Sequence, residues 1–189
     1  MVWGCETSPF FAWMEKALLG LDVTSAKSRQ PISAEWILSL PPEWRIAFIQ
    51  GLADGDGWAS VKAFATAIST STNFDFYQDL FATFNIHTSS SSGSRNVIVG
   101  RHSEIKKAQK LPLFRYAYGR QKKLDTLSSI IESLRRRKAL GRELELILTL
   151  NNEGHSPGEI TEILWYRYGL PRTPFSIYRI LGRNEDSKQ

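Results

Sequence analysis

The sequence predicts an α+β protein with a core in the order helix, two strands, helix, two strands, helix (αββαββα), followed by a small all-helical unit. Within residues 41–140, stretches with helical spacing of apolar residues alternate with pairs of short β-prone stretches. After Arg142 the composition becomes acidic and a new stretch with helical spacing of apolar residues begins. We therefore predict an N-terminal helical extension at 1–40, the core at 41–140 and a C-terminal helical domain at 141–189.

Length and composition exclude several classes of protein. The 189 residues, of which 42% are hydrophobic and 23% charged, suffice for a hydrophobic core without disulfide support. Cys5 is the single cysteine, so no internal disulfide can form. No apolar run approaches the ~20 residues that cross a bilayer, and residues 1–8 lack the features of a signal peptide. We expect a cytoplasmic or nucleoid-associated protein.

Residues 1–40 contain two apolar clusters, at 9–21 and 32–40. The first has apolar residues at helical spacing, which predicts a short amphipathic helix. Neither cluster carries a recognisable chemical motif, so we expect this extension to pack against the core.

A helix is predicted to begin at Pro42, because proline is favoured in the first turn of a helix. The sequence that follows, EWRIAFIQGLADGDG at 43–57, is apolar almost all round, which predicts a buried helix. Gly57 is expected to cap its C-terminal end.

One line of small residues runs along this predicted helix. Ala47, Gly51 and Gly55 are four residues apart and therefore lie on one face. Glycine inside a helix costs about 1 kcal/mol relative to alanine, so the two glycines indicate a compensating contact. We expect that contact to be the close approach of a second helix, which small residues permit.

The remaining core elements are predicted from turn residues and apolar spacing. Strands are expected in two hairpins, the first at 58–62 and 64–70, the second at 86–92 and 95–100. Helices are expected at 73–85, 103–109 and 121–140.

The net charge of +5 is unevenly distributed along the chain. Residues 95–142 contain fourteen lysines and arginines against three acids, a net charge of +11, while the remaining residues carry −6. Such a basic block favours a polyanionic partner, with nucleic acid ahead of a membrane surface. A solvated basic helix face is the alternative.

Asp56, near the end of the glycine-containing helix, suggests a metal site. If two copies of this helix pair along the small residues, two Asp56 carboxylates meet where both helix dipoles add negative charge. The carboxylates repel each other unless a cation lies between them. Oxygen ligands favour Mg²⁺ (or Mn²⁺), and metal-assisted hydrolysis of phosphodiesters is the chemistry that we expect. Two solvated aspartates, Asp54 and Asp56, are the alternative interpretation.

The stretch 49–57, IQGLADGDG, resembles the signature of the LAGLIDADG homing endonucleases, which it matches at Gly51, Leu52, Asp54, Asp56 and Gly57. The αββαββα order strengthens this resemblance, which covers residues 41–140. It implies a saddle-shaped antiparallel sheet on DNA, divalent-metal cleavage of both strands across the minor groove, and Asp56 as the metal ligand. Because the chain has one copy of the motif, the resemblance implies a homodimer on a long, near-palindromic double-stranded site. Asp54 is expected to be structural.

The resemblance also implies a basic residue near the scissile phosphates, at the start of the last core helix. We favour Lys122, then Arg120, for stabilising charge on the phosphate, and Gln121 for positioning water. Lys123 is expected to contact the DNA backbone, and Arg95 and Arg101 are expected to bind DNA.

Residues 141–189 are predicted to form three helices. Ser156 and Glu159 form a capping box, and Thr173 with Pro174 begins the last helix in a similar way. The sequence resembles the helix-turn-helix of resolvase-type DNA-binding domains, with a longer turn at 165–168. The resemblance implies that the last helix enters a major groove, with three arginines reaching phosphates or bases: Arg172, Arg179 and Arg183. A small three-helix packing domain is the alternative.

Together these expectations describe a site-specific, double-strand homing endonuclease encoded in an intron or intein. A DNA-binding regulator that does not cleave is the first alternative, because such a core joined to a helix-turn-helix also resembles a bacterial sporulation-regulator family. An RNA maturase that assists intron splicing is the second alternative.

Overall fold

A computed structural model describes residues 9–21, 30–91, 93, 95–134, 139 and 141–186. The predicted α+β class is confirmed. The described helices are α1 (Pro9–Leu19), α2 (Pro42–Asp56), α3 (Phe74–Ala82), α4 (His102–Lys110), α5 (Tyr118–Ser133), α6 (Arg142–Asn152), α7 (Pro157–Tyr168) and α8 (Pro174–Asp186), with a 3-10 helix at Glu35–Ser39. The strands are β1 (Gly57–Ser60), β2 (Ala65–Ser69), β3 (Ser89–Ser91) and β4 (Asn96–Val99). Among the described helices, none is long and apolar enough to cross a membrane.

The two predicted hairpins are present and join into one sheet in the order β1-β2-β4-β3. All neighbouring strands are antiparallel. Gly57 lies opposite Ile68, and Ile68 lies opposite Val97, so these residues share one face of the sheet. That face packs on the main hydrophobic core, in which Ile68 and Val97 are fully buried.

The opposite face of the sheet carries small and polar side chains beside one tryptophan. Trp58, Ala67 and Ile98 lie opposite one another across the three strands. The Asn96 Oδ1 atom accepts hydrogen bonds from Trp58 Nε1 at 3.0 Å and from Ser69 Oγ at 2.9 Å. These two hydrogen bonds hold the Trp58 ring on the face away from the core.

Helix α2 is half-buried, whereas its apolar composition predicts burial all round. The side that packs on the core carries Ile49, Gln50 and Ala53. The exposed side carries Trp44, Ala47, Gly51 and Gly55. Apolar composition alone cannot distinguish a helix that is buried on every side from one that also presents an apolar surface.

Several predicted boundaries can be compared with the structure. Gly57 caps α2 as predicted, in an extended conformation (φ −85°, ψ 160°) that starts β1 directly. Helix α5 begins earlier than predicted and ends at Ser133, because Leu134 is extended (ψ 133°). Residues 165–168 continue α7 instead of lengthening a turn, and the helix stops at Gly169, which has a left-handed φ of 63°.

Helices α6, α7 and α8 surround a second hydrophobic cluster and also contact the core. The predicted capping box of Ser156 and Glu159 is confirmed at the start of α7. Beside it, a Cβ atom on Gly158 would clash with the Lys62 carbonyl oxygen in the β1–β2 turn. Lys62 Nζ lies 2.8 Å from Glu159 Oε1. The hydrogen bonds from Lys62 and Ser156 lower the pKa of Glu159 to about 2.

Glu104 joins α4 to the segment that leads into β3. Its buried carboxylate accepts hydrogen bonds from the His87 backbone N–H at 2.7 Å, from Ser103 Oγ at 2.9 Å and from Lys107 Nζ at 3.1 Å. Burial by itself would raise the pKa of Glu104, but these partners outweigh burial and lower the pKa to about 2.

Glu104→Gln is expected to lower the free energy of unfolding at neutral pH by about 2 kcal/mol, because the donors lose a charged acceptor. The folded-state pKa of about 2 lies below the ordinary 4.5, so the carboxylate stabilises the fold fully above the ordinary value and less as the pH falls. The difference between variant and wild type in urea unfolding should therefore shrink from about pH 5 to pH 3.

The matched control is Glu132→Gln, which removes an exposed partner of Lys106. We expect it to change the free energy of unfolding by less than about 1 kcal/mol. Equal effects of the two substitutions would contradict the role assigned to Glu104.

Candidate functional site

Asp54 connects the C-terminal end of α2 to the start of α5. Its two carboxylate oxygens accept hydrogen bonds from the backbone N–H groups of Tyr116 and Ala117, each at 3.0 Å. The N–H groups at a helix start lack partners within the helix, and the helix dipole favours a negative charge there. Asp54 therefore has a structural role.

Arg120 makes the reciprocal connection from α5 back to α2. Its Nη1 atom donates hydrogen bonds to the carbonyl oxygens of Asp54 at 2.8 Å, Ala53 at 3.2 Å and Gly55 at 3.4 Å. These carbonyls lie in the last turn of α2, where a guanidinium also offsets the negative end of the helix dipole. The predicted phosphate ligand Arg120 is thus engaged within the chain.

Two glutamine side chains reinforce this junction. Gln121 Oε1 accepts from the Phe114 backbone N–H at 3.0 Å, and Gln121 Nε2 donates to Asp125 Oδ1 at 2.9 Å. Gln121 thus holds the connection before α5, and its predicted part in positioning water stays a prediction. Gln50, absent from the sequence-based predictions, donates from α2 to the carbonyls of Leu111 and Pro112. Its place on the core-facing side of α2 was the available signal, because buried amides need partners.

Asp56 is the last residue of α2, and its side chain is exposed. Among the described residues, none donates a hydrogen bond to its carboxylate or forms an ion pair with it. Its charge acts on a buried neighbour, since burial and then Asp56 raise the pKa of Tyr77 to about 12, against a hydrogen bond with Asn73. No group of three or more His, Cys, Asp or Glu side chains in the described part of the chain could hold a metal ion.

Exposed cations and aromatic rings lie around the start of α5. This α5 surface consists of Arg115, Tyr116, Tyr118, Lys122 and Lys123, all exposed. The Arg115 guanidinium lies 5.2 Å from the centre of the Tyr116 ring, a cation–π contact. Because Asp54 binds the backbone of this segment, the surface lies beside the end of α2. The sequence-based predictions missed the two tyrosines, although aromatic residues in a basic stretch are typical of nucleic-acid contacts.

Arg95 and Arg101, the other two predicted DNA contacts of the core, lie at opposite ends of the sheet. Arg95 and Arg101 are exposed and flank β4 at its two ends. Gly57 pairs with Ile68, and Ser69 pairs with Asn96, so Arg95 lies at the same end of the sheet as Asp56. Arg101 lies at the opposite end, towards the β1–β2 turn.

The predicted pairing face of α2 is open to solvent in the single chain. A Cβ atom added to Gly51 or Gly55 would meet no atom of the described residues within 4 Å. Contacts with the described part of the chain therefore do not account for two helix glycines that each cost about 1 kcal/mol relative to alanine.

The arginines of the C-terminal helices differ in availability. Arg172 Nε lies 2.8 Å from Glu143 Oε1, and the two side chains are 8% and 7% exposed, so Arg172 is not on the surface where it was predicted to meet DNA. Arg179 is exposed, with its guanidinium 5.9 Å from the centre of the Phe175 ring. The side chain of Arg183 lies outside the described residues.

Comparison of the chain with protein-family models, with curated proteins and with solved structures found no match. A functional assignment therefore depends on the residues and geometry of the site.

Proposed function

We propose that this protein is a site-specific, homodimeric DNA endonuclease of the LAGLIDADG homing type. It would hydrolyse a phosphodiester bond in each strand of duplex DNA across the minor groove. The observation that carries the proposal is the end of α2, where Asp54 and Arg120 secure the helix from within while Asp56 is exposed and has no partner among the described residues. Two acids two residues apart thereby have separate tasks, one structural and one open to a ligand.

The chemistry of Asp56 suits Mg²⁺ or Mn²⁺. Carboxylate oxygens are hard ligands, and Mg²⁺ uses one or two of them together with phosphate oxygens and water. Asp56 of the partner subunit would supply the second carboxylate ligand, and the DNA would supply the phosphate oxygens. When bound, the metal would supply Lewis-acid activation of the attack of water on phosphorus.

The exposed side of α2 supports the second subunit. Between Trp44 and Gly55 its exposed positions carry no charge, so two copies can pack closely without burying an ion. Asp56 directly follows Gly55, and a two-fold axis along this face would therefore bring both carboxylates together. The line of small residues at Ala47, Gly51 and Gly55 would then form the contact between the two helices. The close packing in the dimer would offset the cost of the two glycines, which the monomer does not offset.

The α5 surface supports phosphate binding next to this pair of carboxylates. Lys122 is exposed in the first turns of α5, two residues after Arg120, and we assign it to the scissile phosphate. Lys123 and Arg95 would bind the flanking backbone on the Asp56 side of the sheet, and Arg101 would bind it further away. We assign Arg120 and Gln121 as positioning residues, since Arg120 joins α5 to the last turn of α2 and Gln121 holds the connection that leads into α5.

Helices α7 and α8 support a second contact with DNA. They are joined by residues 169–173, a short turn that begins with a left-handed glycine, as in helix-turn-helix units. Helix α8 is the proposed major-groove helix, with Arg179 exposed on it.

The test is to incubate the full-length protein with a duplex that joins the sequences flanking its own reading frame. We expect a double-strand break in the presence of Mg²⁺, none in EDTA, and a dimer in analytical ultracentrifugation at micromolar concentration. Tight, site-specific binding without cleavage would overturn the nuclease in favour of a regulator. A monomer that cleaves at full rate would overturn the shared Asp56 site.

A further inference from the structure

The first turns of α8 present an aromatic surface. Phe175 and Tyr178 are 70% and 68% exposed, and they lie three residues apart on one face of the helix. Arg179 covers part of the Phe175 ring. Gly182 continues this face, and a Cβ atom there would meet no atom of the described residues within 4 Å, which permits another molecule to approach the backbone closely.

The charge of the C-terminal helices indicates that phosphate binding is not their main contribution to DNA affinity. Residues 141–189 contain six lysines and arginines against seven acids, a net charge of −1. One of those arginines, Arg172, is already paired with Glu143 in the interior. The basic core can provide non-specific affinity for DNA, whereas α8 offers rings and few cations.

A helix in the major groove meets base edges, because the base faces are stacked inside the duplex. The apolar group on those edges is the C5-methyl group of thymine, and arginine recognises guanine by its O6 and N7 atoms. Resting on the proposed function, we infer that Phe175 and Tyr178 read thymine methyl groups and that Arg179 reads an adjacent guanine. The α8 face thus supplies base specificity that depends little on salt.

The composition of this face favours duplex DNA over a protein partner. Within 174–182, the part of α8 with described side chains, Arg179 is the one charged residue and no acid is present. The unit is also attached to the basic core, through Lys62 and Glu159. A DNA duplex bound to the core therefore has a cationic, acid-free helix face beside it.

The experiment begins with selection of binding sites from a random duplex library by the full-length protein. Thymines in the selected site are then replaced one at a time by uracil, which lacks only the methyl group. We expect roughly fourfold weaker binding for each methyl that α8 contacts, as the burial of one methyl group predicts. In Phe175→Ala or Tyr178→Ala, binding to the thymine site should weaken and the preference for thymine over uracil should disappear.

Two controls separate the possible outcomes. Tyr168→Ala removes an exposed tyrosine at the end of α7 and should leave the thymine preference unchanged. Lys123→Ala should lower the slope of log affinity against log salt by about one, whereas Phe175→Ala should leave the slope unchanged. Circular dichroism and thermal melting check that each variant is folded.

Selective duplex binding with equal affinity for thymine and uracil would overturn this inference and leave the nuclease intact. Loss of the dimer in Phe175→Ala would assign the face to self-association and overturn it as well. Failure of the wild type to bind any duplex would overturn both proposals.

Discussion

Asp56→Asn is expected to abolish cleavage of duplex DNA in Mg²⁺ while leaving the affinity for DNA nearly unchanged. Asparagine keeps the shape of the side chain but loses the charge that would hold the metal, and the Asp56 carboxylate has no partner to lose in the part of the chain that the structure describes. Removing metal-assisted catalysis costs several kcal/mol of transition-state stabilisation, which corresponds to a loss of roughly 1000-fold or more in rate. Single-turnover cleavage and electrophoretic mobility shift measure the two quantities.

The matched control lies two residues earlier. Asp54→Asn weakens the acceptor for the Tyr116 and Ala117 N–H groups, so it should lower the free energy of unfolding by about 1–3 kcal/mol. Asp56→Asn should leave thermal stability unchanged or slightly higher, since a negative charge at a helix C-terminus is unfavourable. If Asp56→Asn cleaves at the wild-type rate, the metal site lies elsewhere.

Gly51→Leu is expected to leave the monomer folded and to separate the dimer. Its Cβ position is open in the single chain, and leucine is a better helix former than glycine, so the subunit should melt at the same or a higher temperature. In a close helix pair, the side chain is overpacked twice, once from each subunit. At about 1–3 kcal/mol for each copy, self-association should weaken roughly 30-fold or more. The dimer fraction, measured by sedimentation velocity, and the cleavage rate should fall together.

Gly57→Ala is expected to have the opposite effect, although Gly57 is only six residues after Gly51 and belongs to the same motif. A Cβ atom there would lie 2.5 Å from the Ala53 carbonyl oxygen and 2.9 Å from Phe114 Cε1, so the backbone itself must move. We expect the free energy of unfolding to fall by about 1–3 kcal/mol, measured by urea titration, with no specific effect on the dimer. A dimer that withstands Gly51→Leu would contradict the proposed α2 interface.

Local signals in the sequence predict much of the fold. Pro42 starts α2, the capping box at Ser156 starts α7, and Thr173 accepts a hydrogen bond from the Ser176 N–H at the start of α8. Each of these signals acts within one helical turn, so a single sequence is sufficient to find it. The hairpin pairings follow in the same way from turn residues between short β-prone stretches.

Contacts between distant residues could not be predicted. Arg172 is buried because Glu143, twenty-nine positions away, faces it. Arg120 caps α2 across sixty-six positions, and its charge alone suggested a phosphate ligand. The exposed side of α2 was hidden for a related reason, since apolar residues mark both a core and an interface. The different surroundings of Asp54 and Asp56 depend on where α5 begins, which only the folded chain determines.

The contact between α7 and the β1–β2 turn has a geometric consequence for a bound duplex. Gly158 lies against the Lys62 backbone with no room for a side chain, so α7 packs directly on the β1–β2 hairpin. This contact restricts movement of α7 relative to the sheet. Under the proposed function, the distance along the DNA from the cut to the bases that meet α8 would then be fixed. A duplex lengthened there by about five base pairs, half a helical turn, would present those bases on its far side. The protein would therefore select the spacing between the cut and the α8 contact as well as the sequence.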